Sequence, residues 1–430
     1  MTRSPVVACL LVCVLWRPAL ALGQQSGEAR QDTTQRRDSI LEYGVSAGEA
    51  DADAPRRRLV HWNEYDGPIT TIRLGGGFLV DYATYAQDNA SREQFSLNPQ
   101  VKIRDFRLLL GGRFKTKRPI TWQAGFMYDG PSGSWLVRQT GIMIAVPELW
   151  GHLFIGRSKE GISLNRVMVG YDGWGMERFT FSETIPLLAD GIKWLGYLPS
   201  RHLIWNLGVF VDWLSEGQSF SYYDHELSTR VAWVPMVSDS SGTLLHIGVN
   251  AHIGKVNNGQ LQLRSRPEAF PAPYFLDTGK FPASSASHLG FEIYYRPGPW
   301  LFGSEYYLHM VHSPETGDPR FHGGDIFTSW LITGETRSYN TVGGYFRGVS
   351  PARTVFEGGP GAWEALLRFS YTDLDGGTVR GGIFWRITPM VNWYLSDNAR
   401  LELGYGYGKL DRFDLKGATQ FFQTRLQLQF

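Results

Sequence analysis

The alternation of apolar and polar residues at the carboxyl end of this sequence constrains its fold more than any other feature. Within residues 418–430 the even positions include Phe422, Leu426, Leu428 and Phe430, and the odd positions from 423 to 429 are all Gln or Arg. A period of two is typical of a β-strand with one apolar and one polar face. A closing strand that ends on an aromatic residue suits a membrane barrel, because its last strand pairs with its first. The alternative is an edge strand of a soluble β-protein.

The same alternation recurs through most of the chain, which favours the barrel. It is found at residues 71–85, 104–117, 203–213, 245–253, 288–296, 300–310 and 363–372. These segments are about as long as a tilted membrane strand requires, roughly 9–11 residues. We therefore predict an all-β fold, a transmembrane antiparallel β-barrel of sixteen strands. Its lipid face should include Trp205, Leu207, Phe291, Leu426 and Leu428.

Composition excludes several other classes of protein. Aromatic residues make up 14% of the chain and charged residues 19%, with a formal net charge of +1. This balance is unlike that of a polybasic nucleic-acid-binding protein, so we expect no nucleic-acid partner. Beyond the first two dozen residues no apolar run is long enough for a membrane helix.

The amino-terminal segment has the pattern of a signal peptide, predicted at residues 1–23. Arg3 precedes an apolar core at residues 6–16, and Ala19-Leu20-Ala21 is a small-x-small cleavage site. A short membrane anchor is the alternative, but the apolar core is too short to span. Both cysteines, Cys9 and Cys13, lie in this segment, which leaves the mature chain without thiol chemistry or disulfides. Residues 24–60 are predicted to form a disordered periplasmic arm, and residues 61–430 the outer-membrane barrel.

Short turn signals separate several of the predicted strands. They are Asn257-Asn258-Gly259, Pro297-Gly298-Pro299, Asp375-Gly376-Gly377 and Ser396-Asp397-Asn398. The segment at residues 337–360 is too long for an ordinary periplasmic turn. It is expected either to contain further strands or to fold into the lumen.

The sequence resembles the phosphate-selective porins O and P of Gram-negative outer membranes. The resemblance is carried by Leu331–Tyr339, Gly361–Glu364, Arg368–Leu374, Val391–Leu395 with Asn398 and Arg400, and Arg425–Phe430. Weaker similarity, including Ala232–Pro235 and Leu245–Gly248, reaches back to about residue 60. The resemblance implies a sixteen-stranded barrel, a homotrimer, and conduction of anions tuned for phosphate or polyphosphate. Family members of that kind use an arginine ladder and a lysine cluster, whereas the one close lysine group here is Lys102, Lys115 and Lys117.

Strand parity places an excess of cationic residues on the polar faces, and these residues are the candidates for pore lining and anion binding. They are Arg73, Arg107, Arg113, Lys115, Arg230, Arg264, Arg266, Arg296, Arg368, Arg380, Arg386 and Arg425. Fewer acidic residues share those faces: Asp81, Asp105, Asp212, Glu292, Glu305 and Glu364. Arginine stays charged and presents a planar fork that suits phosphate oxygens. The sequence thus predicts a water-filled, anion-preferring channel.

Other chemistry is less well supported by the sequence. Gly75-Gly76-Gly77 lies within a strand and opens no helix, so it is not a phosphate loop. His246 and His252 share one strand face, and we interpret them as lumenal histidines rather than metal ligands. Thr333-Gly334-Glu335 with Arg337 is interpreted as a charge pair that fixes a loop. We predict no catalytic residues, no metal and no cofactor.

Two other functions stay open at this level, besides a weakly selective general porin. One is an outer-membrane enzyme, which would need a hydroxyl nucleophile and a His together at one rim. The other is a non-conducting structural or adhesin barrel. The expected partners are small anions, the lipid bilayer with lipopolysaccharide, two further copies of the chain, and the barrel-assembly machinery, for which Phe430 would be part of the signal.

Overall fold

The computed structural model describes residues 63–129, 133–211, 213, 223–238 and 240–430. The predicted signal peptide and the whole of the predicted amino-terminal arm, residues 24–60, lie outside the described residues. No helix within the described residues is long and apolar enough to span a membrane.

The described chain forms one large closed antiparallel sheet and three two-stranded sheets in the long segments. A seventeen-stranded sheet is present, and one of its members is the three-residue strand Glu64–Asp66, which only pairs with the start of the first long strand. The remaining sixteen strands form the barrel wall: β1 Thr71–Gln87, β2 Gln100–Phe114, β3 Ile120–Asp129, β4 Ser134–Val146, β5 Gly151–Lys159, β6 Leu188–Leu198, β7 Leu203–Val211, β8 Tyr223–Ser238, β9 Thr243–Val256, β10 Ser285–Pro297, β11 Trp300–His312, β12 Arg320–Leu331, β13 Ala362–Gly376, β14 Val379–Ser396, β15 Ala399–Arg412 and β16 Leu415–Gln429. The sixteen-stranded all-β barrel predicted from the sequence is confirmed.

The barrel closes where β16 pairs with β1. The register runs from Gly77 opposite Gln429 to Gln87 opposite Thr419. Phe430 extends the seam through two backbone hydrogen bonds of 3.0 Å: its N–H donates to the Gly76 carbonyl, and its carbonyl oxygen accepts from the Gly76 N–H. Within the described residues, closure leaves the sixteen-stranded wall without an unpaired edge, which is the condition for placing strands in lipid.

The two faces of each strand are sorted as the period-two pattern predicts. Leu207, Phe291, Leu426 and Leu428 are between 37% and 49% exposed, on the outer face. The neighbouring positions of β16, at 423, 425 and 427, are buried on the inner face. An outer surface of large apolar side chains is unfavourable in water and favourable in contact with lipid.

Short turns predominate at one end of the barrel, and the other end carries two long connections together with shorter ones, as in outer-membrane barrels with periplasmic turns and extracellular loops. The long-loop end carries residues 160–187 and 257–284. The segment 332–361 is the exception, because it connects β12 to β13 at the short-turn end. The predicted hairpin turn at Asn257–Gly259 is wrong: this three-residue helical turn opens the 257–284 loop instead.

All three long segments place side chains in the barrel interior, and they pack against one another and the wall. Phe179 and Phe181 of the first stack near Tyr307 of β11, with ring centroids 6.1 and 6.3 Å apart. Phe275 of the second lies against Phe421 of β16 at 5.9 Å. In the segment 332–361, Phe346 is fully buried. The interior is therefore more apolar than the polar strand faces alone predict.

Candidate functional site

The segment 160–187 is held in the interior by its first turn. Ser163 caps the short helix Leu164–Val167 with its side chain. The Lys159 ammonium, at the end of β5, donates to the carbonyls of Val167 and Met168 at 3.0 and 2.8 Å. These bonds satisfy helix-end carbonyls that would otherwise be buried without partners. The chain that follows is thereby directed across the barrel.

Glycines allow this segment to approach the wall closely. A Cβ at Gly77 of β1 would lie 2.3 Å from the Tyr171 ring, and one at Gly76 would lie 2.7 Å from the Phe430 ring. The glycine run 75–77 therefore serves two close contacts, one to the inward segment and one to the carboxyl terminus. Both contacts are with aromatic rings, which agrees with the interpretation that this glycine run is not a phosphate loop.

Glu177 is the electrostatic centre of the segment. It accepts from Arg104 at 2.6 and 3.0 Å and from Arg425 at 2.5 Å. Arg425 also forms a double hydrogen bond with Asp81, each at 2.6 Å. Burial alone would raise the pKa of Glu177, but the charges of Arg104 and Arg425 outweigh it and hold that pKa well below its usual range. Glu177 is thus a permanent anion that clamps the segment to β2 and β16.

A cavity of about 40 Å³ lies between this segment and strands β1, β2, β13 and β16. Five arginines but only two carboxylates line it: Arg104, Arg107, Arg178, Arg368 and Arg425, with Asp105 and Glu177. Asp81 and Glu268, just outside the lining, pair with Arg425 and Arg368. The cavity is therefore built from guanidinium groups, most of which have a carboxylate partner.

Arg178 differs from the other four arginines of the cavity. Its guanidinium donates to the carbonyls of Asn165 at 2.7 Å and Met168 at 3.3 Å, and among the described residues no carboxylate forms a salt bridge with it. Burial, together with the positive charges of Arg166 and Arg107, lowers the pKa of Arg178 to about 9. A group whose charge is disfavoured in this way would be stabilised by an anion beside it.

The candidates predicted from the sequence fall into two groups. Six are largely buried on the inner face: Arg107, Arg230, Arg296, Arg368, Arg386 and Arg425. Arg107 forms a double hydrogen bond with Asp105. Arg230 pairs with Glu292 at 2.8 Å, and Arg368 pairs with Glu268 while also donating to the Glu177 carbonyl at 2.9 Å.

Two of these six hold loops through backbone carbonyls instead. Arg296 donates to the carbonyls of Gly242, at 2.8 Å, and Arg337. Arg386 donates to the Pro267 carbonyl and lies over the Phe421 ring at 4.4 Å. The buried arginines thus mainly fix the inward segments.

The second group lies away from the cavity. Arg113, Lys115, Arg264 and Arg380 are exposed. Arg264 belongs to the 257–284 loop and lies over Tyr274, with Arg266 beside it, so neither is on a barrel strand. Lys115 pairs with Asp66 at 2.7 Å, and Arg73 approaches Glu64 at 3.7 Å. Strand alternation placed Arg380 on the lumenal face, but the structure leaves it exposed. The reason is a shift in the pairing of β13 with β14 between Asp373 and Asp375, which changes the face on which the first residues of β14 lie.

Comparison with known proteins agrees with this architecture. A family profile described as "Phosphate-selective porin O and P" matches residues 151–430. The chain belongs to the phosphate-selective porin O and P family. Family and fold together identify an outer-membrane β-barrel porin, a class typically made of non-enzymatic channels.

Curated relatives are distant. An uncharacterized protein of Caulobacter vibrioides is 28% identical over 197 residues, which cover 45% of this chain and 38% of that protein. Porin O of Pseudomonas aeruginosa is 23% identical over 249 residues, covering 50% of this chain and 55% of that protein. The matches thus span 38% of the first relative and 55% of the second.

Solved structures share the fold. An anion-selective porin from Comamonas acidovorans matches with a TM-score of 0.54 and 11% identity, covering 84% of this chain and 100% of that one. The outer membrane channel DcaP of Acinetobacter baumannii matches with a TM-score of 0.53 and 8% identity, covering 85% and 99%.

Sequence reasoning missed Arg104, Arg178 and Glu177 of this porin. Arg104 lies next to a bulge in the pairing of β1 with β2. Because the bulge interrupts the alternation of the strand, counting every second residue did not place Arg104 on the inner face. Arg178 and Glu177 lie in a loop, where no parity exists. The interspersed glycines and large side chains of residues 170–176 were the available signal for a packed inward segment.

The predicted charge pair of the 332–361 segment forms with a different partner. Arg337 pairs with Glu364 of β13 at 2.9 Å and donates to the Asp172 carbonyl at 2.9 Å. Glu335 instead accepts from Thr333. Arg337 therefore joins two inward segments to the wall, which is a loop-fixing role as predicted.

Proposed function

We propose that this porin forms an anion-preferring channel for small anions, with phosphate among them. Arg178 is the observation that carries the proposal, because it is a partly buried guanidinium beside a cavity lined by four more arginines, and carbonyls alone accept its hydrogen bonds. A low-dielectric wall concentrates the field of such a group and raises the local concentration of anions. Weak sites in series suit conduction better than one tight site.

The test is the reversal potential of purified protein in a planar bilayer under a KCl gradient. The wild type should pass chloride in preference to potassium, and millimolar phosphate should reduce the chloride current. Arg178→Gln should lower the chloride-to-potassium permeability ratio severalfold. Arg380→Gln, which removes an exposed arginine from the hairpin that joins β13 to β14, should leave the ratio unchanged. A cation-selective wild type would overturn the proposal.

A weakly selective general porin is the second candidate. The ion pairs of Arg107, Arg230, Arg368 and Arg425 favour it, since each neutralises a guanidinium that sequence parity had assigned to the lumen. This alternative predicts a permeability ratio near unity and equal effects of the two substitutions. Anion selectivity without phosphate block would indicate a general anion channel.

We also propose a homotrimer in contact with lipopolysaccharide and assembled through its carboxyl-terminal strand. A structural neighbour, OmpT of Vibrio cholerae, is described in a trimer form; it is 11% identical, with a TM-score of 0.52, and covers 84% of this chain and 100% of that one. Native mass spectrometry of detergent-solubilised protein should give three chains per particle, and conductance should fall in three equal steps.

A further inference from the structure

A cluster of histidines and glutamates lies in the interior at the base of the segment 160–187, away from the arginine cavity. Glu160 directly follows β5, Glu226 lies on β8, and His252 and His288 lie on β9 and β10. All four side chains are at most 7% exposed. The sequence predicted His252 to be a lumenal histidine, whereas its ring is enclosed by charged and aromatic groups.

The donor atoms of three of these residues converge on one point. One ligand atom each of Glu160, Glu226 and His252 lies within 4.8 Å of the other two. His252 Nε2 is 2.9 Å from Glu226 Oε2 and 3.6 Å from Glu160 Oε2. Ligands of a tetrahedral zinc ion bond at about 2.0–2.2 Å and therefore lie roughly 3.3–3.5 Å apart. The two distances bracket that spacing.

Two buried carboxylates this close need a positive charge to offset their mutual repulsion. The neighbouring cations of the described chain have other partners: Lys193 donates to the Lys159 carbonyl at 2.7 Å, and Arg157 pairs with Asp190 at 3.4 Å. With Arg166, they act on Glu160 only through longer-range electrostatic attraction. Glu160 Oε2 is buried and makes no hydrogen bond. Among the described residues, neither carboxylate forms a salt bridge with a lysine or an arginine, and both lie within 3.6 Å of His252 Nε2.

The second nitrogen of His252 is placed as in metal centres. His252 Nδ1 lies 3.3 Å from His288 Nδ1. A metal-binding imidazole commonly donates its other N–H to a neighbouring acceptor, which fixes its tautomer and orientation. Here His252 would donate to an unprotonated His288, leaving Nε2 for the metal.

We propose that Glu160, Glu226 and His252 bind a divalent transition-metal ion, best matched by zinc, with His288 as a positioning residue. A mixed imidazole and carboxylate set favours zinc over calcium or magnesium, which prefer oxygen ligands alone. Three protein ligands leave a fourth position for water. The ion would bind the start of the inward segment to β8 and β9, beside the 2.6 Å hydrogen bond from Ser228 to the Glu160 carbonyl. The inference does not depend on the selectivity of the channel.

Zinc titration of the full-length protein in detergent, at neutral pH and after chelator treatment, tests the site. Calorimetry should show about one zinc per chain, and bound cobalt should give the visible absorption of a four-coordinate ion. Absence of zinc binding by the wild type would overturn the proposal without any variant.

Substitutions then locate the ion. His252→Gln and Glu226→Gln should abolish the stoichiometric binding, and His288→Ala should weaken it about 10–100-fold. His225→Gln is the matched control, because His225 neighbours Glu226 in sequence but is exposed on the outer face. Heat-modifiable electrophoretic mobility checks that each variant is folded. Binding that survives His252→Gln in a folded variant, or that is lost in His225→Gln, would refute the assignment.

Discussion

At the scale of single residues, the charge of a side chain in this interior depends on which group faces it. Arg368 and Arg178 both contribute to the cavity. Arg368 faces Glu268, whereas Arg178 faces carbonyl groups. Under the proposed function, Arg178 is the one of the two that would attract a passing anion, because Arg368 already has a carboxylate partner.

Asp172 makes the charge of the interior dependent on pH. Burial, offset in part by Arg337 and Arg400, raises the pKa of Asp172 to about 6. Below that pH the carboxyl is neutral, and above it a negative charge appears next to the cavity residues Tyr171 and Gly173. The chloride-to-potassium permeability ratio should therefore fall as the pH rises from about 5 to about 7.

Bilayer recordings across this pH range, with Asp172→Asn for comparison, check the prediction. The variant should keep the low-pH ratio at all pH values. The raised pKa of Asp172 also makes the free energy of unfolding depend on pH. Because the pKa is higher in the folded than in the unfolded protein, the stability that this group contributes near pH 4 is lost as the pH rises through about 6. A permeability ratio that rises with pH in the wild type would contradict the assignment.

At the scale of elements, the strands are organised by their faces and the inward segments by buried ion pairs. Glu268 accepts from Thr180 at 3.1 and 3.2 Å and from Arg368, and so joins the 257–284 loop both to the segment 160–187 and to β13. Removing one partner of such a buried pair leaves the other charge buried without compensation, which strongly destabilises the fold.

We expect Arg368→Met to destabilise the barrel by about 3–5 kcal/mol, because Glu268 stays buried without its cation. The double variant Arg368→Met with Glu268→Gln should recover part of this loss. Urea unfolding in lipid vesicles, followed by tryptophan fluorescence, measures both free energies. Additive losses in the double variant would show that the two side chains do not interact.

The outer face of the barrel wall should tolerate an arginine near its edges but not near the middle of a strand. Phe291 is 49% exposed near the middle of β10. An arginine on the lipid face costs about 2–4 kcal/mol at the bilayer midplane and about 0–1 kcal/mol near an interface. Phe291→Arg should therefore lower the yield of folded barrel, whereas Gln420→Arg, at an exposed polar position of β16, should be tolerated. Membrane fractionation with heat-modifiable mobility measures the yield, and equal yields would contradict the lipid assignment.

At the scale of the whole molecule, the barrel depends on one seam between its first and last strands. The two Phe430–Gly76 hydrogen bonds lie at the end of that seam, where the Phe430 ring also covers Gly76. The carboxyl-terminal residue thus acts in closure of the folded barrel, in addition to its predicted part in the assembly signal.

Deletion of Phe430 should reduce folded barrel in the outer membrane and leave unfolded chain in the periplasm, because both the seam contacts and the terminal aromatic are lost. Phe430→Tyr keeps an aromatic ring and both backbone bonds, and should restore most of the yield. Heat-modifiable mobility of membrane and periplasmic fractions measures the outcome. Unchanged yield after the deletion would mean that the seam is complete without this residue.

The sequence by itself determined the wall of this porin. Alternation in a strand has a fixed period, so Leu426 and Leu428 had to face outward once Arg425 and Gln427 faced inward. The family resemblance was carried by particular segments of the last hundred residues, such as Leu331–Tyr339 and Arg425–Phe430. Within regular strands, the residue types alone were sufficient to predict which face each side chain lies on.

Only the tertiary structure decided the chemistry of the interior. Arg425 meets Asp81, 344 positions away in sequence, and Glu177, 248 positions away. Loop residues have no parity, and bulges such as those beside Arg104 and Arg380 shift it. Whether a guanidinium is neutralised depends on groups brought together by folding of the inward segments. The pattern of charges in the sequence therefore predicted an arginine-rich interior, and the packing selected Arg178 from it.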